Sequence, residues 1–155
     1  MAIIACPSCG ARNDGRVSDA RARRFTIPVR VYYQDTDAGG VVFHAQYLAF
    51  MERARTELFN ASGFDFARLA VEDGLLFMVH RLSVRYHRPA RLNELVSISA
   101  EVVKMGHASI VFRQTVERGV ELLVEADVTV ALVDRTRDRP ARIPDKLRRL
   151  LERAA

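Results

Sequence analysis

The sequence predicts an α+β fold in which one long, curved antiparallel sheet wraps around a central helix. Three observations predict it. Five stretches alternate apolar and polar residues with a period of two, four of them in succession. One amphipathic stretch of helical period, from about Ala45 to Ser62, is long enough to cover a sheet face. The connections between the strands are short, which favours antiparallel pairing of consecutive strands.

In the first strand Phe25, Ile27, Val29, Val31 and Tyr33 alternate with Thr26, Pro28, Arg30, Tyr32 and Gln34. Pro28 has no amide for a ladder, so it marks a strand start or a sheet edge. In the helix Tyr47, Leu48, Met51, Ala54, Leu58 and Ala61 share one side, and Gly63 is a natural stop. A short helix from Phe66 to Glu72 ends at Gly74. Leu76, Met78, His80, Leu82, Val84 and Tyr86 then share the apolar face of a strand that stops at Arg88-Pro89. On that face His80 reads as a hydrogen-bonded core histidine. Val96, Ile98, Ala100 and Val102 line the next strand, up to Met105-Gly106. Ala108, Ile110, Phe112, Gln114 and Val116 line the third, before a turn at Arg118-Gly119. Leu122, Val124, Ala126, Val128, Val130 and Leu132 line the last. A final short helix, Pro144 to Arg153, presents Leu147, Leu150 and Leu151. Strands this long twist strongly. One sheet with one apolar face and one long helix closes economically by curling around that helix, which is the hotdog architecture. Its uncovered outer face and edges point to dimers or tetramers.

A chain of 155 residues suits one domain with one core. All regular elements fall in residues 24–155. Residues 1–23 lack an apolar period and read as a disordered tail. That tail holds both cysteines, in Cys6-Pro7-Ser8-Cys9-Gly10. A structural zinc site needs four ligands, and no second cysteine pair and no histidine before His44 supplies them, so the pair reads as inert. No apolar run reaches the ~18 residues of a membrane span, and the start lacks the basic and apolar regions of a signal peptide. The expected location is the cytoplasm. The net charge of +5 favours anionic partners. No nucleic-acid-binding signature accompanies the arginines, so nucleic acid is not the expected partner.

The stretch from Tyr33 to His44 sets two carboxylates, a glycine pair and a histidine between a strand and a helix. An EF-hand counted from Asp35 would need an oxygen ligand at 39 and a glutamate at 46, where Gly39 and Gln46 stand, so calcium is excluded. From the residues alone, a transition-metal site of Asp35, Asp37 and His44 and a purely structural turn both stay open. The glycines let the chain turn sharply into a helix whose first amides have no internal partner. Those amides, around Val42 to Ala45, carry the positive end of the helix dipole and would stabilise an oxyanion. A carboxylate beside them can attack a carbonyl or activate water. Together they form a minimal hydrolytic set for a reactive acyl group such as a thioester.

Tyr33-x-Asp35-Thr36-Asp37-x-x-Gly40-Val41-Val42-x-His44-x-x-Tyr47, continuing to Glu52-Arg53-Ala54-Arg55, resembles the 4-hydroxybenzoyl-CoA thioesterase family. Within that family it is most similar to the Tol-Pal system-associated acyl-CoA thioesterases. The resemblance covers about residues 25 to 145, and the segments Arg88-Pro89-Ala90-Arg91-Leu92 and Arg139-Pro140-Ala141-Arg142-Ile143-Pro144 add to it. It implies a hotdog fold, usually tetrameric, that hydrolyses acyl-CoA without metal or other cofactor. By resemblance Asp37 is the catalytic carboxylate, nucleophile or general base. The backbone amide of His44 polarises the thioester carbonyl, and Tyr33 lines the pocket. Gly40, Val41, Val42 and Phe43 complete the substrate-binding loop, with Phe43 where close relatives often carry tyrosine. Asp35 takes a structural role.

The expected partners are acyl-CoA, acyl carrier protein as an alternative carrier, and further copies of the chain. Two other functions compete. One is a hotdog hydratase or dehydratase in which Asp37 and the His44 ring act together; the other is a basic acyl-carrier-binding scaffold. The arginines between Arg135 and Arg142 are either a seat for CoA phosphates or a solvated loop.

Overall fold

The computed structural model describes residues 24–154. The expected tail, with Cys6 and Cys9, therefore lies outside the described residues. The elements run β1 (Phe25–Arg30), α1 (Gln46–Ala61), α2 (Phe66–Glu72), β2 (Leu75–Tyr86), β3 (Leu95–Met105), β4 (Ser109–Arg118), β5 (Glu121–Asp134), β6 (Arg139–Pro140) and α3 (Asp145–Ala154). The helical and β periods thus sit where the sequence puts them.

All pairings are antiparallel, and the strand order is β1-β3-β4-β5-β2 with β6 on β5. Pro28 lies on the edge strand β1, which tolerates its missing donor. The expectation that consecutive strands pair holds for β3, β4 and β5 and fails for β2, which pairs with β5 rather than β3. The chain leaves β2 at one side of the sheet and crosses three strand spacings, about 14 Å at ~4.8 Å each, before entering β3. The crossing segment, residues 87–94, closes one end of the sheet.

A second correction concerns β2. Its register with β5 shifts between Val79 and Arg81, leaving His80 in a bulge. Before the bulge Leu75 and Phe77 pack on the core; after it Val84 and Tyr86 do. The inward parity therefore changes from odd to even. His80 is exposed on this edge strand and is not a core histidine.

Tyr47, Phe50, Met51, Ala54, Leu58 and Phe59 are the buried apolar side of α1. They meet Ile98, Ile110, Phe112 and Val128 from the sheet in one core. At roughly 1.5–3 kcal/mol per large apolar side chain, this stripe is the main tie between helix and sheet. α1 rests on β1, β3 and β4, whereas α2 rests on β2. The side of α1 toward β2 is left as a groove.

Candidate active site

β1 gives way to a single 3-10 turn, Tyr33–Asp35. The strand alternation therefore ends at the buried Val31, and Tyr33 points out, 82% exposed. Asp35 is the opposite case, only 2% exposed. Its Oδ2 accepts the Tyr32 amide at 2.8 Å, its Oδ1 accepts Gln46 Nε2 at 2.9 Å, and its carbonyl accepts the Phe43 amide at 2.9 Å. Both carboxylate oxygens are used in clamping the loop to the first turn of α1. Asp35 is a splint, as its structural reading requires.

The next residues form a tight reverse turn. Thr36 and Val42 face each other in a bridge, the Asp37 amide donates to Val41 at 3.0 Å, and the Gly40 amide donates to the Asp37 carbonyl at 2.9 Å. Gly40 has φ of 69°, where a Cβ is strained even though nothing crowds it. Asp37 is half-buried at the head of this turn. Its Oδ1 accepts the Gly39 amide at 2.8 Å; among the described residues its other oxygen has no partner.

The crossing segment holds the turn from below. Val41 bridges to Arg91, and the Val42 amide donates to Ala90 at 2.9 Å. The Ala90 amide donates in turn to the hydroxyl of the buried Tyr47 at 2.8 Å. Val41 and Val42 are themselves buried and anchor the loop. Phe43 and His44 are exposed, with ring centroids 4.4 Å apart.

Of the four amides from Val42 to Ala45, two are therefore occupied, those of Val42 and Phe43. Among the described residues the amides of His44 and Ala45 have no acceptor. The N-cap is Ala45, which brings no capping side chain, and the first turn of α1 carries no acidic residue. The positive end of the helix is open at the position the sequence reading assigned to His44. The peptide is fixed from behind by Tyr86, whose hydroxyl donates to the His44 carbonyl at 3.0 Å. Burial pushes the Tyr86 pKa up, so the hydroxyl keeps its proton. The sequence alone does not mark Tyr86 as a site residue. Its signal is a tyrosine closing a strand just before Arg88-Pro89, which is legible only once the crossing is known.

Other expectations part company with the geometry. Among the described residues no three potential metal ligands converge, and each Asp35 oxygen already accepts a hydrogen bond. The arginines at 135–142 begin where Asp134 pairs with Leu75, at the start of β2. Tyr86, beside His44, is at the other end of this 12-residue strand, eleven steps along the chain. At ~3.3 Å per residue that is roughly 36 Å, so within one chain this cluster does not adjoin the loop. From the loop end, the groove beside α1 holds two adjoining cavities of about 300 and 470 Å³. Leu48 and Met51 line the first, Thr56 and Phe59 the second, and Glu52, Arg55 and Val79 line both.

Comparison with known proteins gives a consistent result. The family model of the Thioesterase superfamily matches residues 39–125. The acyl-CoA thioester hydrolase YbgC of Escherichia coli is 44% identical over 124 residues, covering 79% of this chain and 92% of that protein. The acyl-CoA thioesterase YbgC of Haemophilus influenzae is 43% identical, covering 80% and 91%. The crystal structure of a probable thioesterase from Bartonella henselae superposes with a TM-score of 0.74 at 34% identity, covering 78% of this chain and 99% of that one.

Proposed function

The chain belongs to the thioesterase superfamily and is an acyl-CoA thioester hydrolase; we propose that Asp37 and the open amides at the start of α1 carry its reaction. The observation that carries this reading is the pairing of a half-buried carboxylate, one oxygen unengaged, with two acceptor-free amides in the same loop. The thioester carbonyl accepts from the His44 amide, with that of Ala45 beside it. Asp37 then acts in one of two ways. Its free oxygen attacks the carbonyl carbon, the C–S bond breaks, CoA leaves as thiolate, and water cleaves the mixed anhydride. Alternatively it removes a proton from water, which attacks in its place. Either way negative charge gathers on the carbonyl oxygen in front of the helix dipole. Gly40 shapes the turn, Val41 and Val42 anchor it, and the exposed Tyr33, Phe43 and His44 rings form the rim toward substrate.

The hydratase reading would have Asp37 and the exposed His44 ring act from two sides of the substrate, and the thioesterase relatives favour hydrolysis over it. Asp37→Asn tests the assignment. It keeps the shape and loses base and nucleophile, so kcat for CoA release should fall by ~10²–10⁴. Retention of more than about a tenth of the rate, a change of ~1.4 kcal/mol, would remove Asp37 from the chemistry.

Several finer points belong to the same proposal. β2 is an edge strand with Met78, Val79 and Leu82 exposed, which supports assembly into dimers or tetramers through this edge. We place the enzyme in the cytoplasm, where thioesters of CoA and acyl carrier protein are available. Its link to the Tol-Pal system rests on sequence resemblance.

A further inference from the structure

Arg55 is the one charged side chain of the α1 core side, 9% exposed. Its Nη1 donates at 2.6 Å to Oε1 of Gln114, a neutral partner. Gln114 is itself fixed, its Nε2 donating to the carbonyls of Met51 at 2.9 Å and Ser99 at 3.0 Å. No carboxylate forms an ion pair with Arg55 among the described residues. Glu52 contributes only at longer range, and burial lowers the Arg55 pKa. A buried guanidinium of this kind is left short of negative charge. No buried side-chain nitrogen or oxygen lacks a partner among the described residues. The rest of the Arg55 fork is therefore not sealed inside protein; it opens onto the two cavities that the residue lines.

Those cavities follow one stripe of α1. Leu48, Met51, Glu52, Arg55, Thr56 and Phe59 recur at helical spacing and lead away from the loop. Arg55 is ten residues beyond Ala45, about 15 Å along the helix axis at 1.5 Å per residue. A zigzag chain with carbon–carbon bonds of about 1.5 Å advances roughly 1.25 Å per bond, so ten carbons and a terminal oxygen span about 12–13 Å from a carbonyl at the His44 amide, and a hydrogen bond of ~3 Å closes the rest of the way to Arg55. The path between is lined by Leu48, Met51, Val79 and Leu82, with Glu52 as its one acidic side chain; its far end is cationic and already aligned by Gln114.

We propose that Arg55 is a specificity-determining residue: the acyl group lies along α1, and the guanidinium binds an oxygen acceptor, hydroxyl or carboxylate, at the far end of a medium-length chain. This rests on the placement of the thioester carbonyl at the His44 amide. A plain alkyl chain fills the groove and leaves the cation without a partner. A chain ending in oxygen supplies the missing acceptor, and a carboxylate does so as a two-pronged match to the fork.

The test compares decanoyl-CoA, 10-hydroxydecanoyl-CoA and the mono-CoA thioester of decanedioic acid, by thiol release. The wild type should favour at least one oxygen-ended substrate over decanoyl-CoA by roughly ten- to hundredfold in kcat/KM, the scale of a hydrogen bond to a charged group. Which one leads tells hydroxyl from carboxylate. In Arg55→Met that ratio should collapse toward parity, and in Arg55→Lys it should be retained in part. Asp37→Asn should instead lower all three alike, so the carboxylate assignment and this inference fail separately. A wild type that prefers decanoyl-CoA, or hydrolyses none of the three, overturns the proposal. So does an Arg55→Met enzyme with an unchanged ratio. If Arg55→Met is insoluble, Arg55→Gln, which keeps a polar side chain and loses the charge, takes its place with the same two outcomes. Equal loss on all three substrates with a drop in light-scattering mass overturns it too, and assigns Arg55 to a contact between copies.

Discussion

The two ends of α1 are finished in opposite ways. At the C-terminal end the Ser62 amide donates to Leu58 and Phe59, the Ser62 hydroxyl also reaches Leu58, and the Gly63 amide closes on Asn60. Gly63 takes the positive φ of 76° that such a stop uses. Nothing there is left over for a ligand. At the N-terminal end Ala45 caps nothing, and two amides face outward. Nor is this a general habit of the chain. Seven-residue α2 is capped conventionally, the Asp65 carboxylate accepting the Arg68 amide at 3.1 Å. A carboxylate is close to the start of α1 as well, but Asp35 faces inward and is fully engaged, while Asp37 has an oxygen to spare. A helix end left without a cap, beside a carboxylate with an oxygen to spare, is what the proposed oxyanion site requires.

That contrast can be broken, most severely at the turn. Gly40→Val forces a β-branched residue to a φ of 69° and should re-aim the His44 amide. Loss of an oxyanion donor costs ~10²–10³ in kcat. His44→Ala keeps the amide and should cost much less; steady-state kinetics on one acyl-CoA compares them. If the order is reversed, the imidazole does the work and the hydratase-like pairing gains. Tyr86→Phe leaves the His44 carbonyl without its donor. The expected effect is about tenfold or less in kcat, in line with ~0.5–1.5 kcal/mol for one hydrogen bond, with KM nearly unchanged. A larger rise in KM than fall in kcat would make Tyr86 a binding residue instead. The mildest test closes the open end. Ala45→Asp supplies the missing cap and a charge at the helix start. Thermal melts should show a gain of about 0.5–2 kcal/mol in stability, with several-fold slower turnover. Faster turnover would contradict oxyanion stabilisation at this end.

The sequence shows which parts of this contrast are legible. A glycine turn entering a helix is visible in the letters and points to amides between Val42 and Ala45 without internal partners; the choice of His44 among them comes from family resemblance, and which of the four amides lack an acceptor shows only in the fold. The topology is less so. Residues 75–79 are Leu, Leu, Phe, Met and Val, apolar in both phases, so alternation cannot set which face points inward. Extending the even phase of Val84 and Tyr86 back through His80 hides the bulge. Arg88 to Arg91 reads as a turn between neighbouring strands, yet it is a crossing between distant ones, because a period carries no information about which strand lies alongside. Arg55 is hidden for a similar reason. On a helix wheel it borders the apolar stripe, and only the packing of Gln114 from β4 shows that its head is drawn inward.

The crossing segment has one more consequence. Functional loops commonly open at little energetic cost, independently of the core. Here the Val42 amide is tied to Ala90, Ala90 to the Tyr47 hydroxyl on α1, and Phe43 to Asp35. Freeing the Val42 and Ala90 amides means lifting the crossing away from the turn and from α1, and freeing that of Phe43 means opening the turn at the buried Asp35. Deuterium should thus enter Val42, Phe43 and Ala90 on the timescale of the core strands, while His44 and Ala45, next to them in sequence, exchange at once. On this reading the proposed catalytic loop opens together with the hydrophobic core, so a destabilised core should carry the site down with it.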